Sequence, residues 1–127
     1  MRDLYSNISV VPALASAVQS SNSNGAAIDL NGNRSVCFVL NTGAIVSSGD
    51  FGAKLQESDT TTSGDFADVD AEFMDSNAPD TLEASSAYRL GYRGHKRYVR
   101  LVLTKAGGTS IAAGAVAVFE PLDRPAA

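Results

Sequence analysis

Three groups of residues are of types that do chemistry, and their spacing decides what that chemistry would be. The first is acidic. The run Asp59-Thr60-Thr61-Thr62-Ser63-Gly64-Asp65-Phe66-Ala67-Asp68-Val69-Asp70 sets oxygens at positions 1, 3, 5 and 12 of a twelve-residue loop, with glycine at position 6. Those are the offsets of a calcium loop, with Asp59, Asp65 and Asp70 as its candidate ligands. Thr61 and Ser63 stand where carboxylates are usual, Asp70 replaces the bidentate glutamate, and no helices are expected on either side. A solvated acidic loop between strands is the favoured reading.

The second group would serve acid–base or nucleophilic catalysis. His95 is the single histidine, and it lies among bases with no carboxylate near it in sequence to orient the ring. Cys37 is the single cysteine, which excludes an intrachain disulfide and any multi-cysteine metal site. It sits in the most apolar stretch of the chain, where a thiol behaves as a small hydrophobe. No serine motif resembles a nucleophile elbow. Gly91, Gly94, Gly107 and Gly108 match no phosphate-binding pattern, and the chain has no tryptophan to form a sugar platform. No catalytic residue, cofactor or firm metal site is assigned.

The third group is Tyr88-Arg89-Leu90-Gly91-Tyr92-Arg93-Gly94-His95-Lys96-Arg97-Tyr98-Val99-Arg100, which holds three tyrosines and five of the ten Lys and Arg residues. From Asp50 to Glu83 the chain carries ten of its fourteen acids and one base, Lys54. The net charge of −4 is thus sorted into an acidic middle and a basic segment. A net-acidic chain argues against nucleic acid as the partner. The segment has two readings. One is a hairpin with solvated Arg and Lys whose Tyr88, Tyr92 and Tyr98 half-bury against the core. The other, because tyrosine and arginine are enriched at protein interfaces, is an interface with Tyr88, Tyr92, Arg93, Lys96, Arg97, Tyr98 and Arg100 as candidates and a neighbouring copy's acids as complementary charge.

The elements that must position these residues read as short strands between Gly, Ser, Asn and Asp. Ser35 to Asn41 is continuously apolar and predicts a central strand covered on both faces. Phe51 to Ser58 alternates, as does Val99 to Leu103. Phe66 to Met74 predicts a strand and then a helical turn, and Ile111 to Phe119 a strand of small residues. Asn31-Gly32-Asn33 and Ala106-Gly107-Gly108-Thr109 are turn signals. Leu82 to Tyr92 and Arg97 to Lys105 are expected to pair as a hairpin across Arg93 to Lys96. The fold expected is all-β: an antiparallel β-sandwich, jelly-roll-like or similar, of about seven to eight short strands. An N-terminal arm and polar loop (1–24), a sandwich domain (25–120) and a tail (121–127) are expected. Val10, Val11 and Pro12 belong to the arm and join the interface candidates, Pro12 confining the segment to an edge or unpaired role. A composition of 44% hydrophobic and 19% charged residues suits one soluble domain, and neither a leader peptide nor a membrane span is expected.

Two segments together carry a family likeness. Gly52-Ala53-Lys54-Leu55-Gln56-Glu57-Ser58-Asp59, followed by Phe66-Ala67-Asp68-Val69, resembles a KLQESD strand of small virion proteins of tailed bacteriophages. The Tyr88 to Arg100 segment resembles the YRxGYxGxKRYVR motif that follows in the same group, and Ala115 to Phe119 fits its closing strand. The resemblance covers roughly residues 36–125. It implies a β-sandwich from the phage head module that decorates, or cements, the capsid, with no catalytic residues carried over. The implied partners are the major capsid protein and further copies of the chain, a trimer being expected from the three-fold positions of capsid lattices. The implied location is the virion surface. The alternatives are a head-completion, connector or tail component, and a calcium- or carbohydrate-binding β-sandwich module.

Overall fold

The structure is a computed structural model that describes residues 4–30 and 33–121. Ten strands follow in chain order: β1 (Ser9–Gln19), β2 (Ser23–Asn24), β3 (Ile28–Asp29), β4 (Asn33–Val46), β5 (Asp50–Ser58), β6 (Ala67–Asp68), β7 (Met74–Ser76), β8 (Ala87–Tyr92), β9 (Tyr98–Gly107) and β10 (Ser110–Pro121). Three single-turn 3₁₀ segments lie between them, and no α-helix occurs among the described residues. The strands form two antiparallel sheets. The first runs β1-β10-β4-β8-β7, and the second runs β2-β9-β5-β6 with β3 also on β9. The chain is an antiparallel β-sandwich, as its alternating patterns predict.

The core lies between the sheets. Val36, Phe38 and Leu40 of β4, Leu90 and Tyr92 of β8, and Ala113, Ala115, Ala117 and Phe119 of β10 face it from the first sheet. Phe51 and Leu55 of β5 and Val99, Leu101 and Leu103 of β9 face it from the second. These are the alternate positions of each strand, as a pleat with one buried face requires. The small residues of β10 are placed in the middle of the first sheet, between β1 and β4.

Three expectations change. β8 and β9 are not a hairpin: β8 pairs with β4 and β7, whereas β9 pairs with β5, β2 and β3. Arg93 to Arg97 therefore arch from one sheet to the other. Alternation assigns a side chain to the core but does not say whether the next strand lies beside it or across from it. The segment expected as an arm is a paired edge strand from Ser9 to Gln19, with register shifts beside Leu14. Pro12 is tolerated there because an edge strand has spare donors. Finally, β4 is central but is covered on one face only, since Cys37 and Val39 are half-exposed. Of the turn at Asn31-Gly32-Asn33 the first two residues lie outside the described residues, as does the tail beyond Pro121.

Candidate interaction surface

The Tyr88 to Arg100 motif is built around the arch. Tyr92, the last residue of β8, is buried and points inward, where its hydroxyl donates to Glu57 Oε1 of β5 at 2.6 Å. The same oxygen accepts the Lys96 N–H at 3.0 Å, so one phenol ties both sheets and the arch between them. Gly94 lies against the hydroxyl end of this ring, and a Cβ there would collide with it. Burial, together with the Glu57 carboxylate, pushes the Tyr92 phenol well above its ordinary value of 10.0. Tyr88 is also buried, and its hydroxyl accepts the Glu83 N–H at 3.0 Å. Tyr98 is half-buried under the Arg97 guanidinium, 5.1 Å from the ring centre.

The bases of the motif meet acids of the same chain. Arg93 pairs with Asp75 at 2.8 Å and Lys96 with Asp59 at 3.0 Å. Arg97 grips Asp29 with two parallel bonds of 3.0 and 2.9 Å, and Asp29 holds the guanidinium above its ordinary value. Arg100 is buried: it donates to Gln56 Oε1 at 2.7 Å and lies 4.3 Å from the centre of the Phe66 ring. The two sequence motifs are therefore one structural unit. Gln56, Glu57 and Asp59 of the first hold Arg100, Tyr92 and Lys96 of the second.

The calcium-loop candidates are not brought together. Asp59 is held by Lys96, Asp65 accepts from the Thr60 hydroxyl at 2.7 Å, and Asp70 precedes the 3₁₀ turn at Ala71–Phe73. No cluster of three or more His, Cys, Asp or Glu suited to a metal occurs among the described residues. The loop folds back as β6 on β5, which spends its oxygens locally. Asp68 bonds Gln56 and Lys54, and both hold its carboxyl below the ordinary value of 3.8. His95 is exposed, edge-on to Phe73 at 6.4 Å.

The surface that sequence reasoning named only in part, through Val10 and Pro12, is the outer face of the first sheet. Val10, Val118, Cys37 and Gly91 form one row across β1, β10, β4 and β8, and Pro12, Val116, Val39 and Arg89 form the next. Val10 is 57% exposed and Val116 40%. Val11, its neighbour in β1, packs instead against the core. The signal was present in the apolar run of β4, read as covered on both faces. On the second sheet the outward positions of β5 and β9 are Lys54, Gln56, Arg100 and Thr104, with Val102 buried among them, a mostly polar set. Next to Arg89 a cavity of about 360 Å³ opens over Cys37 and Gly91, rimmed by Asp75, Ser76 and Asn77.

No family model and no curated protein matches the chain. Among solved structures, 91% of the chain is similar to a chain in the "Structure of infectious bursal disease virus Gx strain", at 15% identity and a TM-score of 0.39. The chain spans 32% of that chain's length.

Proposed function

We propose that this chain is a non-enzymatic structural protein of a tailed-bacteriophage particle, and that it decorates the capsid by binding the lattice of the major capsid protein from outside. The observation that carries the reading is the interlock of the two motifs. Of the residues that resemble the phage virion proteins, Glu57 and Tyr92 join the two sheets, Asp59 and Lys96 tie the arch to the end of β5, and Gln56 and Arg100 bind neighbouring strands of the second sheet. A signature of that kind specifies a rigid scaffold and not a reaction. The apolar outer face of the first sheet adds support, because a monomer with no partner has no use for it. In this reading the copies self-associate at lattice three-fold positions, as a trimer, and repeated contacts let modest affinity per copy suffice.

Copy number tests the proposal. Quantitative mass spectrometry of purified particles should give on the order of hundreds of copies per head, a lattice stoichiometry. A ring of roughly six or twelve copies would assign the chain to the connector or tail instead. Absence from washed particles would overturn the virion reading altogether.

A further inference from the structure

A sheet face left to solvent normally alternates apolar inward with polar outward. The second sheet obeys this except at Val102, whereas the first carries a continuous apolar field. Its outward rows are Val10, Pro12, Val116, Val118 and Val39, with Cys37 between them. At the β8 side of this apolar field stands Arg89, exposed, whose guanidinium has no hydrogen-bond or ion-pair partner among the described residues. Lys54, Arg93, Lys96 and Arg97, by contrast, each hold a carboxylate of their own chain. Gly91 lies between Cys37 and Asp75 in the sheet, and its missing side chain leaves the cavity beside Arg89 open.

We infer that this face docks on a protein surface that presents an apolar side chain with a carboxylate beside it. The apolar side chain enters the cavity over Cys37 and Gly91, and the carboxylate meets Arg89. The inference rests on the reading above and deepens it: the docked surface is that of the capsid shell, and the face that meets it is the first sheet, not the basic arch. Charge decides against a second copy as the occupant. Paired with itself about a two-fold, the face offers Asp75, held by Arg93, and Glu120, two residues beyond Val118 on β10 and also engaged within its own chain, so a second copy seated this way brings no free carboxylate for Arg89. Area decides the same way. Four strands about 4.8 Å apart and about five residues long give roughly 350 Å². That is about half of the roughly 800 Å² per partner that a stable pair buries. A repeating shell makes up the difference by multiplying the contact.

The test is co-sedimentation of the full chain with heads that lack it, prepared from the phage that carries it. The unaltered protein should bind. Val116→Lys should bind about 30-fold more weakly, since a charge would enter a desolvated apolar contact. Arg89→Glu should lose about 10- to 100-fold and Arg89→Lys much less, because lysine keeps the charge without the planar fork. Arg89 is exposed, so its variants keep the test valid if Val116→Lys melts early. Cys37, the single cysteine, gives an independent readout: its alkylation by a maleimide should slow about tenfold on heads. Failure of the unaltered protein to bind overturns both this inference and the functional reading. Full binding by Arg89→Glu and Val116→Lys overturns this inference alone. A free dimer that Val116→Lys abolishes would assign the face to a second copy and overturn it too.

Discussion

Replacing Tyr92 with phenylalanine removes one oxygen and keeps the ring against which Gly94 lies. That oxygen donates to the Glu57 carboxylate at 2.6 Å and accepts the Lys96 N–H at 3.0 Å. A hydrogen bond to a charged group is worth about 1.5–3 kcal/mol, and a part-buried amide left unpaired costs about 1 kcal/mol more. Some of this is recovered because the phenol no longer has to be desolvated, so a loss of about 2 kcal/mol is expected. For a domain of this size that is a fall in Tm of roughly 6–10 °C. Urea denaturation at neutral pH measures it, and the Tyr92→Phe, Glu57→Gln double-mutant cycle should return a coupling of about 1 kcal/mol or more. The same phenol makes a prediction in alkali. Its folded pKa lies above the unfolded value of 10.0, so its contribution is complete below pH 10. Above that the unfolded chain releases a proton that the folded chain keeps, and stability falls by about 1.4 kcal/mol per pH unit. Tyr92→Phe should lack this part of the alkaline slope. A variant within about 0.5 kcal/mol of the unaltered protein, with the same slope, would refute the claim that this phenol locks the sheets.

Gly94→Ala should destabilise by about 1–3 kcal/mol because the new methyl meets the Tyr92 ring, while Gly64→Ala, with open space around it, should stay within about 0.5 kcal/mol; thermal melts compare them. Phe38→Ala should cost about 3–5 kcal/mol in urea, since the ring is fully buried between the sheets. Asp68 should titrate by NMR below 3.8, so its contribution is present above that pH and lost on acidification, and Gln56→Leu should raise the midpoint. Calcium at about 5 mM should leave the melting temperature unchanged, and a rise of several degrees would reveal a site that Asp59, Asp65 and Asp70 do not form here.

Much of this was legible in the sequence. Alternation set Phe51, Ala53 and Leu55 on one face of their strand and Val99, Leu101 and Leu103 on one face of theirs, and the structure pairs the two strands and turns both faces to the core. Phe66 to Met74 read as a strand and a helical turn, and it folds as β6, a 3₁₀ turn and then β7. The candidate surface was legible only in part. Arg93, Lys96 and Arg97 stood out for their charge, yet their partners Asp75, Asp59 and Asp29 lie 18, 37 and 68 residues away in the chain. Local sequence cannot show that such charges are already answered.

The sequence by itself determined which side chains turn inward, because a strand's period of two is written into the order of residues. It also determined that no disulfide can form within the chain, since there is one cysteine. Tertiary structure decided what lies across from each strand. It made the Tyr88 to Arg100 segment an arch between sheets, joined Glu57 to Tyr92, and left the outer side of β4 without a cover from its own chain. The physical reason is the same in each case. Apolar burial is non-directional, so a run of Val36 to Leu40 records that contact is wanted on a face but not who supplies it.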